Sequence, residues 1–488
     1  MSKYDKDSEL VLGLITTVGT DVEDVIKDIT NQLKFFNYTT EIINVSADII
    51  ASFDTERSED FSSEYDRINY YMDLGNKIRK DLRDSSILMK GVARSIYLKR
   101  EQDEKGFPLP RKRTAYIIKS IKHPDEVEFL RDTYGDGFHL IGVTSSKERR
   151  LKYLIERRGL KEDQAKYLLD RDENEDIKQG QHTRDAFQHS DYFIGITEDK
   201  DLTYNSVSRL IDLLFGDPFI SPSFDEYAMF MAYASSLRSA DLSRQIGAVI
   251  AKNNEILSMG ANDCPKVGGG LYWPILSQHG KYEDEADGRD YMRGEDSNKI
   301  EQNKIIDALL NAFEIEHSPE NIAKVKNAGI GDLTEYGRVV HGEMEALLAC
   351  ARNNISCRDA TLYATTFPCH NCAKHIIAAG IKRVVYIEPY PKSKAFQFYT
   401  AEISDNREER KVSFEAFTGV GPQRFVDLFA ISSTRWYSRK RKDKEGKKLP
   451  WKRENAELRN PISLLNYLNA EESALINFEE EIAAKKGE

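Results

Sequence analysis

The sequence predicts an α/β protein of two domains, and three observations predict it. Apolar segments of strand length alternate with helical patterns from Leu10 to Ile196. A proline-punctuated segment, Gly216-Asp217-Pro218-Phe219-Ile220-Ser221-Pro222, then interrupts the pattern. Beyond it the alternation resumes around a small set of His, Glu and Cys residues. A chain of 488 residues is also long for a single core.

In the first part, strands are expected at Leu10–Ile15, Glu41–Val45, Ala115–Ile118, His139–Val143 and Tyr192–Ile196. Helical patterns run over Val22–Phe35, about Glu64–Leu98, Pro124–Tyr134 and Lys147 to about Asp170. Such alternation predicts a parallel sheet wrapped by helices, here assigned to residues 1–216. A second domain is expected over 222–433. It opens with Ser223 and Glu226, a capping-box pair, before a helix carrying Tyr227, Phe230, Met231, Ala234 and Leu237 at helical spacing. Strands Ile246–Ala251 and Ile256–Met259 follow, joined at Asn253-Asn254. The charged interval 264–338 reads as an insertion with a helix at Lys304–Phe313. Then come helix Gly342–Arg352, strand Thr361–Thr365, helix Cys369–Ala379 and strand Arg383–Ile387. Residues 434–488 read as a separate tail, basic from Arg435 to Arg453 and ending in a polar helix.

The net charge of −11 argues against a general nucleic-acid binder, because phosphate backbones are held by lysine and arginine clusters. It leaves room for a small anion in a local basic pocket. The first residues lack the basic n-region and long apolar core of a secretory signal. No stretch reaches the roughly 18 apolar residues of a membrane helix. Five cysteines, an odd number in a large chain, argue against a disulfide framework. A cytoplasmic protein without membrane partners is expected.

Two of those cysteines lie in Pro368-Cys369-His370-Asn371-Cys372, and His341-Gly342-Glu343 lies upstream. Cysteines at i and i+3 in a first helical turn point the same way, so both sulfurs can reach one ion. The positive end of the helix favours the thiolates that zinc requires. His341, Cys369 and Cys372 would leave a fourth zinc position for water. Glu343 would then move protons without binding the metal. A closed structural zinc site is the alternative, with a fourth ligand from Cys264, Cys350, Cys357, His279, His370 or His375. H-x-E followed by P-C-x-x-C is, however, the zinc deaminase signature.

Together with Ser243–Val249, Gly260-Ala261-Asn262, His341–Asn353 and Leu362–Ile387, the motif resembles the deoxycytidylate deaminase family in order and spacing. The resemblance implies a cytidine-deaminase-like α/β/α domain, a homo-oligomer (a hexamer) and zinc on His341, Cys369 and Cys372. It also implies that Glu343 shuttles protons and that Asn262 binds the sugar or base. Gly342 departs from the family's usual alanine. Arg244, Lys392 and Lys394 are candidate contacts to substrate phosphate, although exposed basic residues of a loop would look the same.

In the first domain, Gly13-Leu14-Ile15-Thr16-Thr17-Val18-Gly19-Thr20-Asp21 resembles a P-loop. The spacing is one residue too long and the lysine is missing, so Gly13, Gly19, Thr20 and Asp21 are candidates for nucleotide binding without phosphoryl transfer. Lys147 through Arg171 is similar to the basic lid of small nucleotide kinases. A degenerate kinase-like domain ahead of a deoxycytidylate deaminase domain resembles the two-domain dCTP deaminases of bacterial anti-phage defence. That resemblance implies deamination of free dCTP and dCMP, and an RNA or nucleotide regulator. The rival readings are a tRNA or single-stranded DNA deaminase and a non-catalytic nucleotide sensor.

Overall fold

The computed structural model describes residues 7–54, 61–174, 182–390, 392–432, 439–462 and 467–486. The chain forms two compact units, residues 1–226 with 418–488 and residues 227–417. Among the described residues, no helix is long and apolar enough to cross a membrane.

The first unit runs β1 (Leu10–Thr16), α1 (Glu23–Lys34), β2 (Thr39–Asn44), α2 (Glu64–Leu82), α3 (Ile87–Leu98), β3 (Thr114–Ile121), α4 (Pro124–Tyr134) and β4 (Phe138–Thr144). It continues through α5 (Lys147–Glu156), α6 (Glu162–Asn174), α7 (Thr183–Phe187), β5 (Tyr192–Gly195) and α8 (Lys200–Leu214). Strands β2, β3, β1, β4 and β5 lie side by side in that order, and every pair is parallel. The fully buried Leu10, Leu12 and Leu14 of β1 pack with Ile29 and Leu33 of α1. The expected long helix from Glu64 is two helices, because Arg83 adopts a left-handed conformation (φ 52) and ends α2. The charged helical stretch from Lys147 likewise divides at Gly159 (φ 72).

The glycine pattern also differs from expectation. Gly13 lies in the middle of β1, paired with Ile118 and Leu140, and is not part of a phosphate-binding turn. A Cβ there would stand 2.4 Å from Ile121 Cδ1, so the missing side chain serves strand packing. The turn itself comprises Thr17–Thr20, closed by Thr20 N–H to the Thr17 carbonyl at 3.2 Å. The Val18 amide donates to the Asp172 carboxylate at 2.8 Å. The Asp21 carboxylate accepts from the Glu23 amide at 3.3 Å. The protein's own carboxylates therefore take amides that a P-loop would offer to phosphate.

The second unit opens within α9 (Phe224–Ser236), whose start is the expected capping box. The Ser223 amide donates to Glu226 at 2.7 Å, and the Glu226 amide donates to Ser223 Oγ at 3.2 Å. The buried face of α9 is Ala228, Met229 and Ala232, whereas Tyr227 and Leu237 are exposed. Ala232 and Ser236 are small where β6 (Gly247–Lys252) approaches closely: a Cβ at Gly247 would be 1.9 Å from the Ala232 carbonyl oxygen and 2.7 Å from the Ser236 nitrogen. Strand β7 (Glu255–Ala261) pairs antiparallel with β6 across Asn253 and Asn254, both at positive φ. The insertion carries a short hairpin of β8 (Ile275–Leu276) and β9 (Tyr282–Glu283). It also carries α10 (Asp290–Arg293), α11 (Ser297–Ala312) and α12 (Pro319–Asn327), so its expected helix starts earlier and has company. Next come α13 (Gly342–Arg352), β10 (Thr361–Thr366), α14 (His370–Ala378), β11 (Arg383–Glu388), α15 (Ala395–Phe398), β12 (Ile403–Ser404) and β13 (Val412–Ala416). The sheet order is β12-β13-β11-β10-β6-β7, with β10, β11, β13 and β12 parallel and the β6–β7 hairpin antiparallel to β10.

The chain from Thr418 onwards belongs to the first unit, not to a separate tail. Strand β14 (Gly419–Val420) extends the first sheet antiparallel to β5, followed by α16 (Phe425–Phe429) and α17 (Tyr467–Lys486). Arg435 to Ser438, the start of the basic stretch, lie outside the described residues. Farther on, Arg441 Nε donates to the Pro218 carbonyl at 2.5 Å, and Arg453 pairs with Asp212 at 2.6 Å. These arginines strap the segment down through hydrogen bonds and an ion pair.

Helix α17 is anchored by a buried charge cluster. Arg100 at the end of α3 bridges Glu9 (2.6 Å) and Glu471 of α17 (2.8 Å), with all three side chains almost fully buried. The hydroxyls of Tyr116 and Tyr467 donate to Glu9, and that of Tyr134 donates to Glu471. Removing one member of such a cluster leaves uncompensated buried charge, at a cost of about 3–5 kcal/mol. Arg100→Met is expected to lower the urea stability of the first unit by about that amount. It should also expose α17 to protease before the rest of the unit unfolds.

Candidate metal centre and active site

The site is built from two helix starts at one end of the second sheet. His341 is the N-cap of α13 and Cys369 the N-cap of α14, each with extended backbone before its helix begins. Both helices lie against the sheet whose core includes Ala346, Leu362, Cys372, Ala373 and Ile376. The approach is close enough to require glycine. A Cβ on Gly260 of β7 would be 2.2 Å from the Gly342 carbonyl oxygen, and one on Gly342 would be 2.9 Å from that of Ile246. The residue at 342 that departs from the family pattern thus sits where an added methyl group would crowd backbone.

The ligating atoms of His341, Cys369 and Cys372 all lie within 4.8 Å of one another. His341 Nδ1 is 3.4 Å from Cys369 Sγ and 3.3 Å from Cys372 Sγ. A tetrahedral zinc at ordinary bond lengths separates nitrogen and sulfur ligands by about 3.6 Å, so the donor set fits zinc with little adjustment. This is the one such cluster among the described residues. Cys350 contacts Ser258 Oγ at 3.1 Å and Cys264 lies 3.5 Å from Asp290, so neither closes the site as a fourth ligand. Nor do Cys357, His279, His370 or His375 join the cluster.

Charge within the triad is strongly redistributed. Hydrogen bonding from Cys372, with help from His341, lowers the Cys369 thiol to about 4. Its partnership with Cys369 raises His341 to about 9. The Cys372 thiol is pushed well up, first by Cys369 and then by burial. A metal needs both thiolates and a neutral imidazole, so its uptake releases protons here. Glu343, in the first turn of α13, is almost fully buried, and desolvation pushes its carboxyl up to about 7.

The remaining candidates are placed unevenly. Asn262 is buried, and its amide is tied to backbone. Its Oδ1 accepts from the Ile246 amide at 2.7 Å, and its Nδ2 donates to the Arg244 carbonyl at 2.7 Å. It thereby fixes Arg244–Ile246, whose Ile246 carbonyl lies beside Gly342, and one lone pair and one N–H of its amide have no partner among the described residues. The half-exposed Arg244 pairs with Glu388 at 2.9 Å and lies over the Tyr390 ring at 6.0 Å. Lys392 pairs with Asp332 of the insertion at 2.8 Å, Lys394 is exposed, and Pro391 lies outside the described residues. Glu388 went unsingled in the sequence although it ends a buried strand, a polar residue where an apolar one would be expected. It accepts from Thr366 Oγ1 at 2.9 Å as well as from Arg244. Asp263, also missed, is buried against Arg289 of the insertion at 3.3 Å. No sequence pattern marks a pair whose members lie this far apart along the chain.

Residues 222–388 match the model of the cytidine and deoxycytidylate deaminase zinc-binding region. The deoxycytidylate deaminase of Enterobacteria phage T4 is 32% identical over 174 residues, which cover 34% of this chain and 77% of that protein. The chain belongs to the deoxycytidylate deaminase family. The human deoxycytidylate deaminase is 26% identical over 163 residues, covering 33% of this chain and 63% of its own length. Among solved structures, the dCMP deaminase of cyanophage S-TIM5 covers 41% of this chain and 100% of its own, at 20% identity and a TM-score of 0.23. Membership makes zinc the metal of this family site, and the donor set described above suits it.

Zinc analysis of purified protein by inductively coupled plasma mass spectrometry checks the ligand set. About one zinc per chain is expected, lost in Cys369→Ala and Cys372→Ala and retained in Glu343→Gln. Zinc retained in both cysteine variants would remove this triad as the metal site.

Proposed function

We propose that the second unit hydrolyses free deoxycytidine nucleotides, dCMP and dCTP, to the deoxyuridine nucleotides and ammonia. The observation that carries this reading is the buried Glu343 carboxyl beside the His341, Cys369 and Cys372 cluster. Zinc, when bound by those three residues, supplies a water acidic enough to react at neutral pH. Glu343 takes a proton from the attacking water and delivers it to N3 of the cytosine ring. Water oxygen bonds to C4, and Glu343 carries the second proton to the exocyclic amine as the C4–N bond breaks. One water is consumed and one ammonia leaves, so the step balances. Burial matters here because a carboxyl held near neutrality can both accept and donate a proton.

Asn262 presents its spare amide capacity to the nucleoside, and Arg244, Lys392 and Lys394 are the cations at the rim for the phosphate. Arg244 would exchange Glu388 for phosphate, and the insertion would meet the substrate through Asp332 and Lys392. Extending the substrate to dCTP, and the role to depletion of dCTP in phage defence, rests on the two-domain order of the sequence. The mainly acidic chain, at −11, favours free nucleotides over cytosines in a polynucleotide.

Ammonia release from dCMP, dCTP, cytidine and a cytosine-containing oligonucleotide tests the reading. The two deoxynucleotides should react, and Glu343→Ala should lose at least about 10²-fold in kcat while keeping its zinc. Turnover of the oligonucleotide comparable to dCMP would replace this function with a polynucleotide deaminase. Full activity in Glu343→Ala would remove Glu343 from the mechanism.

A further inference from the structure

The insertion leaves the second sheet just after Asn262 and returns just before His341, so its two ends flank a candidate substrate contact and a zinc ligand. Backbone joins those ends. The Asp263 amide donates to the Val340 carbonyl at 3.2 Å, and the Val340 amide donates back to the Asp263 carbonyl at 3.0 Å. In an antiparallel pair of this kind the next opposed positions are Asn262 and His341. The bridge therefore sets the spacing of Asn262 from the zinc ligand. Such a bridge is weak by itself, because holding together the ends of a loop as long as 264–339 costs entropy.

Two adjacent side chains of opposite charge pin the bridge from within the insertion. Arg289 is the N-cap of α10 and Asp290 its first residue, and both are buried. Arg289 Nη2 lies 3.3 Å from the buried Asp263 carboxylate and donates to the Tyr272 carbonyl at 2.7 Å. Its Nη1 donates to Asp284 at 3.3 Å. Asp290 accepts from Arg338 Nη1 at 2.6 Å, and Arg338 Nη2 donates to the Gly288 carbonyl at 2.9 Å. The Cys264 thiol lies 3.5 Å from the same Asp290 oxygen. Burial and that carboxylate push the thiol up to about 11, which keeps it a donor. Arg289 thus grips the outgoing chain at Asp263, and Asp290 grips the returning chain at Arg338. Buried ion pairs add little net stability and instead fix which segments meet.

We infer that Arg289 and Asp290 are positioning residues for the deaminase site, acting through the Asp263–Val340 bridge to hold Asn262 opposite His341. Their effect on substrate rests on the deaminase reading, whereas their effect on zinc stands apart from it. The charged insertion is then part of the active-site framework, and α10 is the piece of it that matters most.

Two measurements on the full-length, zinc-loaded protein test this: steady-state kinetics with dCMP, and the rate of zinc loss to EDTA. Arg289→Gln loosens the Asn262 side, so KM for dCMP should rise at least about tenfold with a smaller change in kcat. Arg338→Gln, at a part-exposed residue, loosens the His341 side. It should speed zinc loss at least about tenfold, as changes behind metal ligands do. Gln302→Ala is the comparison, because it breaks the bond from Gln302 Nε2 to the Leu333 carbonyl (2.7 Å) elsewhere in the insertion and leaves both pins. It should stay near wild type in both measurements. Unchanged KM in folded Arg289→Gln, or unchanged zinc loss in Arg338→Gln, overturns the inference, as does an equal change in Gln302→Ala. Where Arg289→Gln does not fold, zinc loss from Arg338→Gln decides. Wild-type protein that leaves dCMP intact overturns the deaminase reading instead, and the zinc measurement still decides this inference.

Discussion

The second unit depends on the backbone-to-backbone approach of α13 to the β6–β7 hairpin. Gly260 and Gly342 bring main chain within contact of main chain, and no side chain larger than hydrogen fits between. That approach sets where α13 begins, and His341 is its N-cap. Cys369 caps α14 just after β10, its Sγ accepting from the Cys372 amide at 3.4 Å. Two helix starts therefore meet at one edge of one sheet, where their dipoles favour thiolate over thiol. The position of Glu343 follows, because two residues into α13 leads into the buried interior rather than to solvent.

The first unit is organised by buried charge in place of a ligand-ready loop. Asp172 holds the Val18 amide and lies 3.4 Å from Lys122, fixing the turn after β1 internally. Arg100 joins Glu9 to Glu471 and so ties the last helix to the first strand's approach. Glu226 is buried, binds both terminal nitrogens of Arg209 and also accepts the Val420 amide. In each case a buried carboxylate satisfies donors that come from distant parts of the chain. Such pairs cost desolvation, so they specify how the segments join more than they add stability.

The insertion between β7 and α13 is attached by polar contacts. Arg289 reaches both Asp263 and Asp284, the Arg238 guanidinium lies over the Trp273 ring at 3.8 Å, and Asp332 meets Lys392. Its helices have few buried residues, and α12 has none. It is thus held at the rim by charges next to Asn262 and the loop after β11, the same elements that carry the candidate substrate contacts.

The sequence by itself determined the elements and the metal triad. Strand and helix periods are local, and nearly every expected element of the first sheet appears within a residue or two of its expected bounds, from β1 to β5. His341, Cys369 and Cys372 were legible because their motifs mark two helix starts, which is local chemistry too. Tertiary structure decided what depends on residues far apart in sequence. It placed Gly13 in a strand and turned Ala228, Met229 and Ala232 of α9 inward, because the neighbouring strands, not the hydrophobic period, set the available space. It joined the segment from Thr418 to the first unit through β14 and the Arg100 cluster. It paired Arg244 with Glu388, 144 positions apart, and left Arg79 Nη1 buried with no acceptor among the described residues. Ion pairs and orphaned donors are properties of which surfaces meet. A single chain read in order contains the partners but not their meeting.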